Sequence, residues 1–112
     1  MPTTRQFTLA LVTIGRPQGR QLRFLRAHFN APKRALNMRK LAMAAGYRHY
    51  GGVNLQYGKL AHRIAQALGI KAPRTAVVLL AEFIGPRQAS NTDYILVMRE
   101  EFARALVAAK WV

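Results

Sequence analysis

The chain has 112 residues, with 18 Lys and Arg against 4 Asp and Glu, which gives a formal net charge of +14. This length suits one compact domain, and the 51% of apolar residues can build its core, which excludes low-complexity disorder. Cysteine is absent, so disulfide frameworks, thiolate metal sites and thiol nucleophiles are excluded together.

The charge is distributed unevenly along the chain. All four acidic residues follow position 81, whereas residues 1–81 carry fourteen Lys and Arg. Such a stretch cannot neutralise itself with internal ion pairs, so its cations face solvent or an anionic partner. A polyphosphate fits best, because Lys and Arg release counterions when they contact phosphate. A surface kept basic for solubility and an acidic protein partner are the alternatives.

Two helices are predicted at the start of the chain. Residues 4–14 place Phe7, Leu11 and Ile14 on one helical face, although their β-branched content leaves a strand open. A breaker over residues 15–19 precedes a second helix, from about Gly19 to Phe29. No apolar run approaches the ~20 residues of a membrane span, so we expect a cytoplasmic protein without a membrane role.

Two further helices follow a proline break. Asn37 is a favourable N-cap for a helix over residues 38–45, and Gly46 suits its left-handed end. After a connector over residues 47–50 and the pair Gly51 and Gly52, a longer helix is predicted from about Val53 to Leu68. Its buried stripe at about 100° per residue comprises Val53, Tyr57, Leu60, Ile64 and Leu68.

The last third of the chain changes character. Residues 75–84 and 94–98 are rich in Val, Leu, Ile and Phe, and a loop of turn-forming residues separates them. This pattern predicts a β-hairpin, and residues 99–109 predict a closing helix. The order of elements is typical of a winged helix-turn-helix. We therefore expect an α+β, mainly helical single domain over residues 1–112, with the helix-turn-helix at about 37–69 and the wing at about 75–98.

The outer face of the fourth helix is the candidate DNA reader. Asn and Gln can pair with adenine, while Lys and Arg suit guanine or phosphate, and a recognition helix reads bases with its N-terminal turns. The candidates on this face and its flanks are Asn54, Leu55, Gln56, Gly58, Lys59, His62, Arg63 and Gln66. Gly58 costs about 1 kcal/mol in mid-helix relative to Ala, which indicates a close approach either by DNA or by another helix or the wing.

Other basic and aromatic residues surround this helix. Phosphate contacts are expected from Lys33, Arg34, Arg39 and Lys40 before and within the third helix. Arg87 in the hairpin loop is expected to contact a minor groove or an adjacent phosphate. In the connector we expect Arg48 and His49 to be exposed and to belong to the DNA-binding surface, with Arg48 on a phosphate, and Tyr47 to pack on the core. Tyr50 could either stack on a base or pack on the core.

The sequence argues against catalysis. It has few carboxylates, and its three histidines lie on separate predicted elements without nearby cysteine. No metalloprotease, hydrolase or phosphate-loop motif occurs, so we expect neither an enzyme nor a cofactor or metal site. A metal-free ribonuclease that uses histidine is the catalytic alternative.

The segment from Leu41 to Leu60 reads LAMAAGYRHYGGVNLQYGKL, and it resembles a bacterial domain found alone or beside HNH nuclease domains of restriction type. The runs LRAHFNAP at residues 25–32 and YILVMR at 94–99 are similar to the same family. The resemblance implies an accessory domain that reads DNA or modified bases for a nuclease partner. The positions of this chain that match the family's pattern, and to which this implied role carries over, are Tyr50, Asn54, Gln56, Tyr57 and Gly58. The chain departs from the fused forms by lacking an HNH segment, so the resemblance implies no cutting.

These observations favour a non-catalytic protein that binds double-stranded DNA. An RNA-binding or ribosome-associated protein ranks second, because the hairpin aromatics are too few for a stacking platform. A third hypothesis is an interaction protein that docks on an acidic partner and blocks or recruits a nuclease. The oligomeric state is left open.

Overall fold

In a computed structural model, which describes residues 1–85 and 94–112, the chain forms five α-helices and a three-stranded antiparallel sheet. The helices are α1 (Thr4–Ile14), α2 (Gly19–Asn30), α3 (Met38–Ala45), α4 (Tyr50–Leu68) and α5 (Glu100–Ala108). The strands are β1 (Ala35–Asn37), β2 (Ala81–Ile84) and β3 (Ile95–Met98), and 3-10 turns span Pro32–Arg34 and Ala76–Leu79. The predicted α+β, mainly helical class is confirmed.

The ends of α3 follow from local chemistry. The Asn37 side chain accepts a hydrogen bond from the Lys40 amide at 2.8 Å, which satisfies one of the free N–H groups of the first turn. Gly46 ends the helix in the left-handed conformation, with φ of +79°. Both predicted caps are therefore confirmed.

The start of α4 differs from its prediction. The helix begins at Tyr50 rather than at Val53, and His49 is its N-cap. The ring nitrogen Nδ1 of His49 accepts a hydrogen bond from the Gly51 amide at 3.0 Å. Gly51 and Gly52 thus lie inside the first helical turn, although their low helix propensity favours a turn.

The sheet joins strand β1 to a β-hairpin that lies much later in the sequence. The central strand β3 pairs antiparallel with β1 on one side and with β2 on the other. The β2–β3 pair confirms the predicted hairpin, whereas β1 was not predicted because three residues carry no detectable periodicity. The loop between β2 and β3, with Arg87, lies outside the described residues.

The predicted strand over residues 75–84 is wrong in its first half. Residues 76–79 form a 3-10 turn, and only residues 81–84 form a strand. The reason is that β3 offers four ladder partners, which are matched by Ala81–Ile84. The carbonyls of Val78 and Leu80, which precede the strand, are bonded to Arg99 instead. The Arg99 amide N–H donates to the Leu80 carbonyl, and its Nε donates to the Val78 carbonyl.

The core is organised around α4. Its predicted stripe is buried from Val53 to Ile64, and Leu68 is half-buried. The ring of Tyr57 packs against Phe24 of α2 with 4.9 Å between centroids. This packing turns the opposite face of α4 toward solvent.

A buried histidine joins three elements. His28 of α2 has no exposed surface, and its Nε2 lies 2.8 Å from the carbonyl of Leu96 in β3. Because a carbonyl can only accept, Nε2 carries the proton, and Nδ1 accepts from the Tyr57 hydroxyl of α4 at 2.9 Å. Burial lowers the pKa of His28, which favours this neutral form. The bridge fixes α4 relative to the central strand.

Candidate nucleic-acid interface

The outward face of α4 is exposed, as its periodicity predicts. Asn54, Leu55, Lys59 and His62 are all exposed, and Leu55 retains 56% of its surface although it is apolar. The face carries one cation, one amide and one imidazole beside an aliphatic side chain. This mixture can donate to phosphates and base edges and can also contact apolar groups.

A groove of about 430 Å³ runs along this face, between α4 and the segment that leads into β2. One wall is formed by Asn54, Leu55, Gly58, Lys59 and His62 of α4. The facing wall contains Arg74, Thr75 and Phe83, and the buried residues Met38, Ala76 and Val77 complete the lining. Five of the predicted DNA-binding residues are therefore brought together in one concave surface.

Gly58 leaves an open space in this groove. A Cβ built on Gly58 would meet no atom of the described residues within 4 Å. Of the two hypotheses for this glycine, close packing by another described helix is therefore wrong. The loop over residues 86–93 is outside the described part, so approach by the wing stays a prediction, as does approach by DNA.

Three predicted residues of α4 lie away from the groove. The Arg63 guanidinium donates to the carbonyl of Ile14 at 3.2 Å, at the C-terminal end of α1. Gln66 lines a separate pocket with Arg63. Gln56 is half-buried, and its backbone carbonyl lies 3.3 Å from Nε2 of Gln21 in α2.

The turn between α3 and α4 spans residues 46–49. Arg48 and His49 are exposed, and Tyr47 packs partly buried against the core, as predicted. Tyr50 also packs on the core, and its ring centroid lies 4.2 Å from that of His49. Of the two hypotheses for Tyr50, the structure supports the core contact.

Lys33 and Arg34 precede α3, as expected, but they lie in a separate 3-10 turn before β1. Pro32 starts a 3-10 turn in which both residues adopt positive φ, and the Arg34 guanidinium packs over the Phe29 ring at 3.9 Å. They line another pocket, together with Glu82, Arg99, Glu100 and Glu101. Three carboxylates thus share this pocket with the cationic side chains, which makes it a less favourable phosphate site than the acid-free face of α4.

The remaining predicted cations are available for contacts. Arg39 and Lys40 are exposed in the first turn of α3. Ion pairs among the described residues join Arg99 to Glu82 at 3.2 Å and Arg104 to Glu100 at 3.4 Å, all of them after position 81. The basic part of the chain thus keeps its charge for solvent or a partner.

Sequence reasoning missed the second wall of the groove. Arg74 and Thr75 follow the proline at position 73 inside the acid-free region, and Phe83 belongs to the predicted hairpin. Charge singles out Arg74 no more than any other cation. Its place across the groove from α4 depends on the packing of residues 76–79 against that helix, which no local pattern reveals.

Three further findings concern metal sites, membrane spans and similarity to other proteins. The described residues contain no group of three or more His, Asp or Glu placed to hold a metal ion. Within the same part of the chain, no helix has the length and hydropathy that a bilayer crossing requires. Comparison with protein-family models, with curated proteins and with solved structures finds no match.

Proposed function

We propose that the protein binds double-stranded DNA, with the outer face of α4 in the major groove. The observation that carries this proposal is the groove face of α4, where Asn54, Leu55, Gly58, Lys59 and His62 lie together within an acid-free part of the chain. A cationic, partly apolar helix face with a bare backbone at its centre suits a ligand that presents phosphates and base edges.

The order of elements supports a winged helix-turn-helix. Strand β1 lies between α2 and α3 in sequence and pairs with β3, and the hairpin of β2 and β3 follows α4. Helices α3 and α4 are joined by a four-residue connection that contains Gly46, as is common in helix-turn-helix motifs. In this arrangement α4 is the recognition helix, and the hairpin of β2 and β3 is the wing.

The chemistry of the face suggests a division of contacts. Asn54 and Leu55 lie in the N-terminal half of α4, where recognition helices contact bases. The Asn54 amide can pair with an adenine edge, and Leu55 can contact a thymine methyl group. Lys59 and Arg74, at the two walls of the groove, suit phosphate oxygens.

The first test is affinity for a short duplex as a function of salt. About six phosphate contacts would give a log–log slope near −5. Lys59→Gln should lower the affinity and reduce the slope by about 0.9, since it removes one contact. Arg104→Gln removes the same charge from α5, where the side chain is 70% exposed, and should leave the slope unchanged.

Two outcomes would contradict the proposal. A flat salt response of the unaltered protein would remove its electrostatic basis, and equal effects of the two substitutions would exclude α4 as the reader. Competition with an RNA duplex and with single strands completes the test. Preference for either would favour RNA or single-strand binding over the DNA duplex.

A further inference from the structure

Helix α2 carries arginines that the structure places beside the turn between α3 and α4. The guanidinium carbon of Arg20 lies 5.5 Å from the ring centroid of Tyr47. Nη1 of Arg23 lies 3.7 Å from the position that a Cβ on Gly46 would occupy. Both arginines are exposed, and so is Arg48 in the turn itself. Two arginines of α2 thus lie against the turn between α3 and α4, and the turn itself carries a third cation.

The Tyr47 ring provides a fixed support for Arg20. The ring also lies against Gly52, because a Cβ there would lie 2.8 Å from Cδ1 of Tyr47. The ring therefore contacts both the first turn of α4 and the guanidinium of α2. A guanidinium on an aromatic ring keeps its N–H groups available to an anion.

The charge of this cluster is not cancelled nearby in sequence. No acidic residue occurs before position 82, and the ion pairs among the described residues involve Arg99 and Arg104. Arg26, on the same helix, behaves differently, since its Nε donates to the carbonyl of Trp111 at 3.2 Å. The orientation of Arg20 and Arg23 toward the turn is thus specific to those two positions.

The cluster flanks α4 on the side where α2 packs. Gln21 of α2 contacts the backbone of Gln56, which precedes Gly58 by two residues. At about 100° per residue, Gln56 lies about 160° around α4 from Asn54 and Gly58 of the groove, and about 60° from Lys59. The arginines of α2 therefore border the flank of α4 that carries Lys59, and Arg74 lies across the groove lined by Asn54 and Gly58.

We propose that Arg20, Arg23 and Arg48 form a second phosphate-contact surface, which holds the DNA backbone on the opposite side of the major groove from Arg74. This inference rests on the proposed function. A helix in the major groove has a phosphate backbone on each side, and the groove is about 12 Å wide, so cations on both flanks of the helix can contact both strands. Contacts on both strands fix the orientation of the helix.

The experiment compares two double substitutions in the full chain. Arg20→Gln with Arg23→Gln should reduce the salt slope for duplex binding by about 1.8, since each lost phosphate contact contributes about 0.9. The control is Arg5→Gln with Arg104→Gln, which lowers the net charge equally from exposed positions on α1 and α5. It should leave the slope near that of the unaltered protein.

A pair of substitutions that preserves the charge shows whether the change in slope comes from the lost cations or from a disturbed fold. Arg20→Lys with Arg23→Lys should restore most of the salt slope, because Lys keeps the positive charge. The restoration is not complete, since Lys does not keep the stacked geometry. Equal slopes for the glutamine pair and its control, with Lys59→Gln still effective, would overturn this inference alone. Loss of salt dependence in the unaltered protein would overturn the proposed function, and this inference with it.

Discussion

Replacement of Gly58 by alanine should make the protein more stable and its DNA binding weaker. A glycine inside a helix costs about 1 kcal/mol relative to alanine. The new Cβ meets no described atom within 4 Å, so no steric penalty offsets this gain. For a domain of this size, about 1 kcal/mol corresponds to a rise in melting temperature of about 4 °C.

The expected loss of binding has a separate cause. Gly58 lies in the wall of the groove, where a methyl group would project into the space proposed for DNA. If a base edge or phosphate contacts the bare backbone, that methyl group displaces it, and we expect a loss of at least about tenfold in affinity, or 1.4 kcal/mol. Thermal unfolding and duplex titration at one salt concentration measure the two effects.

A control separates stability from binding. Val107→Ala lies on α5, away from the groove, at a side chain that is 53% exposed, and it also raises helix propensity. It should leave duplex affinity unchanged. If Gly58→Ala raises the melting temperature but binds as tightly as the unaltered protein, no ligand approaches the α4 backbone, and the reasoning about the groove is refuted.

Two further predictions concern the internal supports of α4. Burial lowers the pKa of His28 from 6.5, so the unfolded chain takes up a proton at a higher pH than the folded protein does. The stability of the fold should therefore decrease as the pH drops below about 6.5. His28→Gln can both accept from Tyr57 and donate to Leu96, and urea unfolding should show that it weakens this dependence; an unchanged dependence would exclude His28 as the titrating group. Gly52→Ala should destabilise the fold by about 1–3 kcal/mol despite its better helix propensity, because its Cβ would lie 2.8 Å from the Tyr47 ring. Tyr47→Leu should relieve that cost in the double variant, and simple additivity would contradict the proposed contact.

The sequence predicts the elements whose signals are local. The N-cap Asn37 and the left-handed Gly46 bound α3 without any knowledge of the tertiary structure. The 3.6-residue period of α4 predicts both its buried stripe and its exposed face. Charge asymmetry predicts an anionic partner for the same reason, since it is a property of the chain itself.

The features that were missed depend on contacts between distant residues. Strand β1 exists because Ala35–Asn37 pairs with β3, about sixty residues away. Helix α4 begins at Tyr50 because His49 caps it and Tyr47 packs against Gly52, which offsets the poor propensity of two glycines. The wall that contains Arg74 and the pocket that contains Lys33 likewise arise from packing rather than from sequence pattern.

The two faces of α4 explain how binding and folding can be separated in so small a domain. The inner face is held by aromatic packing and by the bridge from Tyr57 through His28 to Leu96. Since that bridge uses a neutral histidine, the core adds no further positive charge to a chain that already carries +14. The outer face makes few contacts within the described residues, and Gly58 in particular sacrifices stability there. A helix that is fixed so firmly on one side and left suboptimal on the other is what the proposed binding of a ligand to its outer face requires.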